Sequence, residues 1–459
     1  MQDALSIIEA EFRRRGALTA GELAAVLGVS QSTVSRLLAR VPRRRLLRLG
    51  RARASRYAMV RELGSLGSTW PLYEIDARGQ SHLVGQFHAL NAKQWCLQQD
   101  APWEALRGSE FRDGLYPDLP WFLDDLRPQG FMGRAFVRTY GGVLGLPTDP
   151  RSWQADDVVL ALLRHGHDLQ GAFVLGAPML GAAQECMLSD GEAIPFQARS
   201  EVYPAHAESA LGGEWPGSSA AGEQPKFTAR IRDTEGGIRH ALVKFSGRAG
   251  RLEDQRWADL LAAEHLAAVL LTENGIAAAR TGLLEAGGRR FLEVTRFDRI
   301  GAHGRRGLTS LAALDAAFFG QLQTPWTDAA DRLLDGGWFS AQDAERLKLL
   351  WWFGILIGNT DMHYGNVSLF LRRDLPLSLA PSYDMLPMLY RPDAEGGLPA
   401  RRFAPVPPPP ESIAIWSAAS AMAETYWTRA AASPLISKSF RQIAAKNAET
   451  VARYRRQFR

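Results

Sequence analysis

Between Gly354 and Asn366 the chain reads GILIGNTDMHYGN, an apolar run that stops at a polar turn presenting Asp361, His363 and Asn366 within six residues. Transfer of a phosphoryl group to a hydroxyl needs that combination in one loop. A carboxylate accepts the hydroxyl proton, and a short amide oxygen five residues on holds Mg2+ against the phosphates. The same residue types also fill ordinary turns, because their short side chains bond nearby backbone. The rest of the chain must decide between the two readings.

Upstream, GSSAAGEQPKFTARI from Gly217 to Ile231 places small residues and Gly222 before Gln224, Pro225 and Lys226, then enters a strand. Small residues let backbone N–H groups approach phosphate oxygens, and a following lysine adds a point charge. A flexible linker would look much the same. The next strand, HALVKFS, sets Lys244 between Val243 and Phe245, where a solvated surface lysine is hard to accommodate. Such a lysine could hold the α and β phosphates. The helix WADLLAAEHLAAVLL then carries Glu264 among apolar neighbours as its candidate ion-pair partner, against the plain alternative of a helix-surface carboxylate. FLEVTRFDR, Phe291 to Arg299, reads as a strand leading into a hinge whose backbone could bond an adenine edge. Beyond the opening loop, VSLFLRR and PLSLA form a hairpin around Asp374 that ends in PSYDMLPM, so Asp384 can return beside Asn366 as a second magnesium ligand. Six parts in this order outweigh the separate plain readings.

These parts sit in a chain of 459 residues that is 46% hydrophobic and 22% charged, enough for large cores and two to four domains. Cys96 and Cys186 are too few and too isolated for a disulfide framework or a cysteine zinc site. Both are expected as packed thiols in a reducing cytoplasm. The N-terminus lacks the apolar core of a signal peptide, and runs such as VVLALL and LLWWFGILIG fall well short of the roughly 18 residues of a membrane span. No membrane partner is expected.

Charge is uneven along the chain. Residues 1–62 hold thirteen arginines against five acids on a chain of net charge +5, so the remainder is mildly acidic. Leu5, Ile8 and Phe12 mark one helix; Thr19 caps a second with Leu23, Val26 and Leu27; Gly28 turns the chain; Ser30 caps a third. In the third, Val34, Leu37 and Leu38 face inward and leave Gln31, Ser32, Thr33, Ser35 and Arg36 outward, types suited to base edges and phosphates. LLRLGRARASRYAMV then reads as two strands around Gly50 to Ala54, a wing with arginines placed for phosphate contact. The stretch LTAGELAAVLGVSQSTVSRLL is similar to winged helix-turn-helix regulators. A packing or dimerisation module of the same shape is the competing reading.

The middle is plainer. PLYEIDARGQSHLVGQFHAL is expected as a hairpin turning at Asp76 to Gly79, and DVVLALLRHGHDLQGAFVLGA as a helix, a polar turn and a buried strand. His165 and His167 have no acidic or sulfur ligand at zinc spacing. PVPPPPES at 405–412 is a stiff, extended segment.

Over roughly residues 70–440 the chain resembles the HipA-like serine/threonine kinases, toxins of bacterial toxin–antitoxin pairs. SSAAGEQPK, LVKF, TRFDR, IGNTDMHYGN and LAPSYDMLP carry the resemblance. It implies an α+β, protein-kinase-like two-lobed fold of the HipA type, here preceded by a small winged helix-turn-helix domain. The expected domains are 1–62, putting DNA among the partners; 63–200, an α/β subdomain; and 201–459, the catalytic region. It further implies ATP and Mg2+ as cofactors and protein serine/threonine kinase activity, with Asp361 as catalytic base. The phosphate loop would be Ala221, Gly222, Glu223, Gln224, Pro225 and Lys226, with Lys244 as phosphate lysine. Thr295, Arg296 and Phe297 would contact adenine. His363, Tyr364, Gly365 and Asn366 would contact nucleotide and metal, and Tyr383 and Asp384 would complete the metal site. Inhibitory autophosphorylation would fall on Ser219 or its neighbour Ser218. Family members usually take their helix-turn-helix from a separate antitoxin protein, whereas residues 1–62 are expected to bring one in the same chain. A nucleotide-sensing regulator and a small-molecule phosphotransferase are the alternatives to a protein kinase toxin.

Overall fold

The computed structural model describes residues 2–50, 55–189, 193–213, 224–321 and 324–458. Its N-terminal unit contains α1 (Gln2–Arg15), β1 (Leu18–Thr19), α2 (Ala20–Leu27), α3 (Gln31–Leu38), β2 (Leu46–Leu49) and β3 (Arg56–Met59). Local chemistry fixes each boundary. Thr19 and Glu22 form a reciprocal capping box at the start of α2, and Gly28 closes that helix at φ +65°, where a side chain would be strained. Ser30 Oγ accepts the Thr33 N–H at 3.2 Å to open α3. Ile8, Phe12, Leu23, Val34, Leu37, Leu38 and Met59 form the core. Val26, expected on the inward stripe of α2, is instead 42% exposed, and Ala24 is buried in its place. β1, β3 and β2 form one antiparallel sheet, while the expected wing-tip arginines Arg51 and Arg53 lie outside the described residues.

This unit is built onto the next one. Val60 bridges to Leu90, and Ala17, Leu49 and Ala58 pack with Leu90 and Cys96. Arg61 makes two hydrogen bonds to the Asp156 carboxylate, at 2.8 and 2.5 Å, donates to Leu90 O at 2.7 Å and lies over the Trp95 ring.

The middle region holds β4 (Thr69–Ile75), β5 (Ser81–Ala89), β6 (Trp95–Gln98), β7 (Leu115–Tyr116) and β8 (Phe173–Leu175), in the order β7-β6-β5-β4-β8. The hairpin turning at Asp76–Gly79 and the helix Ala155–His165 form as expected. Its core is continuous with that of the C-terminal helices: Phe87, Trp95 and Leu162 belong to the same apolar cluster as Phe353, Trp416 and Tyr426. Burial pushes the Cys96 thiol up to about 12. Cys186 departs from expectation and is exposed, on a helix (Ala177–Leu188) that buries little besides Ala183.

The smaller lobe of the C-terminal region is a five-stranded sheet of β9 (Ile194–Pro195), β10 (Lys226–Arg232), β11 (Ile238–Phe245), β12 (Thr281–Ala286) and β13 (Arg289–Thr295), ordered β12-β13-β11-β10-β9. Phe227, Val243, Phe245 and Phe291 alternate inward and pack with Tyr203 from the helix Arg199–Gly212. The helix Leu252–Glu273 also packs on this sheet. A short β14 (Arg299–Ile300) and β15 (Gly304–Arg305) pair leads into the larger lobe, where β16 (Gly307–Ser310), β17 (Ser368–Leu371) and β18 (Ser378–Leu379) form a small sheet. Helices Trp326–Asp335, Ala341–Leu356, Ile413–Ala432 and Lys438–Gln457 complete that lobe. No described helix is long and apolar enough to cross a membrane.

Candidate active site

Strands β10 and β11 pair with Lys226 directly opposite Lys244, which puts both side chains on one face. Both are buried, and both line a cavity of about 440 Å³ between the lobes. A buried ammonium needs counter-charge. Lys244 has two sources of it: its Nζ donates to the Glu264 oxygens at 2.6 and 2.8 Å and contacts Asp384 Oδ1. Burial alone would lower the lysine's pKa; the charges of Asp384 and Glu264 outweigh it and raise it, so the ammonium persists. Desolvation of Asp384 is outweighed in the same way, by Lys244 and Lys226, and its carboxyl is held below the usual range. Asp384 adopts φ +53°, a left-handed conformation that Asp tolerates better than most residues.

The loop that carries Asp361 follows the helix Ala341–Leu356. Asn359, almost fully buried, accepts the Asp361 N–H on Oδ1 at 3.0 Å and donates from Nδ2 to Asp384 O at 3.3 Å. Sequence reading missed this residue. Its only signal was a polar side chain at the close of an apolar run. Asn366 Nδ2 donates to Asp361 O at 2.7 Å, which leaves Asn366 Oδ1 free to face the cavity that the residue lines. The Asp361 carboxylate makes no hydrogen bond among the described residues and is partly exposed. His363 Nδ1 accepts the Gly365 N–H at 3.1 Å, so this ring shapes the loop while lining the cavity. The Tyr383 hydroxyl donates to Gly365 O at 3.0 Å and shares a hydrogen bond with Ser368.

Tyr364 departs from the expected nucleotide contact. Its side chain is buried in the larger lobe, with its hydroxyl 2.5 Å from Thr324 Oγ1 and 2.9 Å from Arg332 Nη2. The apolar ring packs into the core and carries the hydroxyl away from the cavity.

Two of the three expected hinge amides are already engaged. Thr295 N–H donates to Arg280 O and Arg296 N–H to His240 O, both at 2.8 Å. Their amides are therefore committed to the sheet, and Phe297 N–H is the hinge donor without a backbone partner among the described residues. The Arg296 guanidinium is buried against Asp298, at 3.1 and 2.8 Å. Arg296 and Arg299 hold the Asp298 carboxyl well below its ordinary range despite burial. Phe297 stands 5.8 Å from the Tyr383 ring, and both line the cavity.

Of the expected phosphate loop, Gln224 has a buried Nε2 with no partner among the described residues, and Pro225 O accepts the Phe245 N–H at 3.3 Å. Ala221, Gly222, Glu223, Ser218 and Ser219 lie outside the described residues. One wall was not foreseen. Asp125, from the middle region, lines the cavity and accepts from Ser310 N at 2.5 Å, Ser310 Oγ at 2.6 Å and Thr309 Oγ1 at 3.2 Å. Burial pushes its carboxyl up.

A family model for the HipA-like C-terminal domain matches residues 218–454, and one for the middle domain of YjjJ-like toxins matches 66–184. Toxin YjjJ of Escherichia coli (strain K12) is 36% identical over 439 residues, which cover 95% of each chain. The chain belongs to the HipA-like toxin family. A solved chain of the Shewanella oneidensis MR-1 HipA, HipB and operator DNA complex superposes with a TM-score of 0.52 at 17% identity, covering 85% of this chain and 95% of that one. At that identity the likeness speaks for the fold. This HipA-like chain has the kinase-like α+β architecture.

Proposed function

We propose that this chain is an ATP- and Mg2+-dependent protein serine/threonine kinase that acts as a growth-arresting toxin and carries its own DNA-binding domain. The carrying observation is that Lys244, ion-paired to the buried Glu264, lines one cavity with Asp384 and Asn366. A cation for phosphate oxygens, a carboxylate and an amide oxygen converge there, the set that phosphoryl transfer uses.

On this reading the adenine stacks toward Phe297 and meets its N–H, and the phosphates lie toward Lys226, Lys244 and the Gln224 amide. Lys244 exchanges the Asp384 carboxylate for phosphate oxygens while Glu264 keeps its ammonium in place. The Asp384 carboxylate and Asn366 Oδ1 are hard oxygen donors that fit Mg2+. Bound there, the ion would neutralise charge building up on the phosphates. Asp361 accepts the proton of the acceptor hydroxyl as that oxygen bonds to the γ-phosphorus and the bond to the leaving ADP breaks. Among the described residues its carboxylate makes no competing hydrogen bond, which supports the role.

Phosphorylation of Ser219 or Ser218 would add about −1.5 to −2 charge near the ATP phosphates and oppose nucleotide binding. Exposure of Gln31, Ser32, Ser35 and Arg36 on α3, with Thr33 half-buried, supports DNA as the partner of residues 1–62. An antitoxin protein would be a further partner, and the cytoplasm the place of action.

The test is labelled ATP with wild type, Asp361→Ala and Asp384→Ala, in cell lysate and with purified protein, alongside growth on induction. Label transfer and growth arrest should both vanish in the variants. Arrest persisting undiminished in both would refute the kinase reading, and DNA binding modulated by ATP without label transfer would favour a nucleotide-sensing regulator.

A further inference from the structure

Outside the nucleotide cavity lies a cleft of about 870 Å³ to which three distant parts of the chain contribute. Arg48 and Leu49 come from the wing strand β2 and Gly50 from just past its end, Arg107 and Arg112 from the middle region, and Arg373 from the turn between β17 and β18. Asp100 and Asp113 also line it, so four arginines face two carboxylates. Arg48, Arg112 and Arg373 are exposed. Arg107 is held in place by Gln99 Oε1 at 3.3 Å and Arg112 O at 2.9 Å. Arg373 lies over the Trp103 ring at 5.3 Å. The Gln99 Nε2 is buried with no hydrogen-bond partner among the described residues, a further donor in the same lining.

Clustered guanidinium groups on an open groove match a run of phosphates better than a single enclosed anion. The groove starts at the wing, and Leu49 of that wing is packed against Leu90 and Cys96 of the middle sheet. The lip nearest the proposed DNA-binding unit is therefore fixed to the body that supplies the other arginines. A duplex carries one charge per about 1.7 Å of its axis, so a backbone engaged by α3 and the wing continues outward past them.

We infer that this cleft binds the phosphate backbone of duplex DNA flanking the segment held by residues 1–62, so that the toxin body is part of the DNA-binding surface. The inference rests on residues 1–62 binding DNA. Phosphate contacts position without reading sequence, and each neutralised phosphate steepens the salt dependence of binding.

The test uses the full chain and fluorescent duplexes of arbitrary sequence, about 12 and about 30 base pairs long, roughly one and three helical turns. Anisotropy is read between about 50 and 200 mM salt. Arg112→Gln/Arg373→Gln should lower the slope of log K against log salt by about two on the long duplex, at about 0.9 per lost contact, and change it little on the short one. Arg112→Glu/Arg373→Glu should weaken long-duplex binding further. Arg36→Ala should weaken binding at both lengths. If Arg36→Ala weakens binding while both cleft variants match wild type on the long duplex, the cleft assignment is wrong and the DNA-binding domain stands. If wild type binds neither duplex, the domain reading fails and the cleft assignment with it. Thermal melts of the cleft variants should lie close to wild type, since among the described residues neither side chain donates a hydrogen bond and Arg373 loses only its contact over the Trp103 ring.

Discussion

The side-chain Nδ2 of Asn366 donates to the backbone carbonyl of Asp361 at 2.7 Å, so one residue closes the loop and lines the cavity, with Oδ1 left for the proposed metal. These two roles separate by substitution. Asn366→Ala loses both, and label transfer should fall by about 10²-fold or more, the usual scale for a lost preorganised group. Asn366→Asp keeps an oxygen but sets it against the Asp361 carbonyl. It should retain nucleotide binding and lose turnover, checked by equilibrium ATP binding beside the transfer assay.

Lys244 has a structural role besides the proposed catalytic one. Lys244→Met leaves the Glu264 carboxylate buried and unpaired, a change that costs about 3–5 kcal/mol in comparable buried pairs. Glu264→Gln should cost less, because Asp384 still faces the ammonium. Lys244→Met/Glu264→Leu removes both charges and should recover much of the stability while leaving transfer abolished. Urea denaturation beside the activity assay reads both effects. Equal recovery of stability and transfer would argue that Lys244 serves packing alone.

Arg61 joins the N-terminal unit to the middle region through Asp156, Leu90 O and the face of Trp95. Arg61→Ala removes all three contacts. The N-terminal unit should then melt ahead of the body, visible as a separate, lower transition in calorimetry. Because the Asp156 side chain is about two-fifths exposed, the ion pair itself is screened, and Asp156→Ala should produce a smaller shift than Arg61→Ala.

The parts of the site that were legible in the sequence are those where a polar residue interrupts an apolar pattern. Lys244 within Val–Lys–Phe, Glu264 in an alanine- and leucine-rich helix, and Asp361 at the end of a buried run each stand out against their neighbours. The caps Thr19 and Ser30 and the Asp76–Gly79 turn were legible because they are made within a few residues. Long-range contacts leave no such trace. Asp125 meets Ser310 across 185 residues, Arg61 meets Asp156 across 95, and Lys244 meets Asp384 across 140. Tyr364 and Val26 show the converse limit: the first lies in a motif yet points into the core, and the second fits a helical stripe yet is exposed. Which side of an element faces inward depends on what packs against it, and a short helix such as α2 has room for Ala24 to replace Val26.

Acid sensitivity should trace to His240 and the buried His88. His240 is lowered to about 4, first by burial and then by Arg296 and Arg299, with Asp168 pulling the other way and Arg230 adding to the depression. His88 is also lowered to about 4 by burial, partly offset by its hydrogen bond to Gln98. Each is neutral in the fold, while the unfolded chain binds a proton below about pH 6.5. The stabilisation is therefore complete above about pH 6.5 and is lost as pH falls toward 4. Each ring contributes at most about 1.4 kcal/mol per pH unit, and His240 less than that because it is only partly buried. Denaturation at several pH values in this window should show a shallower slope for His240→Gln than for wild type. An unchanged slope would place the proton uptake elsewhere.

Tyr364 and Tyr383 hold the loop of Asp361 from opposite sides. The Tyr383 hydroxyl grips Gly365 O from the cavity side, and the Tyr364 hydroxyl is held by Thr324 and Arg332 within the larger lobe. Arg332 lies on the helix Trp326–Asp335 and also faces the buried Asp315, at 3.8 Å. Loop position thus depends on a helix that does not touch the cavity. Tyr364→Phe keeps the ring that fills the core and deletes only the anchor, so the fold should lose about 1 kcal/mol or a little more. ATP affinity should be nearly unchanged, since Lys244, Asp384 and the hinge are untouched. The rate of transfer should fall by about 10-fold or more, because an Asp361 held loosely is seldom within reach of the acceptor hydroxyl. Arg332→Leu removes one of the two groups that hold the hydroxyl and should reproduce part of that loss of rate, and its combination with Tyr364→Phe should add little, since the phenylalanine has already lost both bonds. A fully additive double variant would mean that the two residues act on the loop separately.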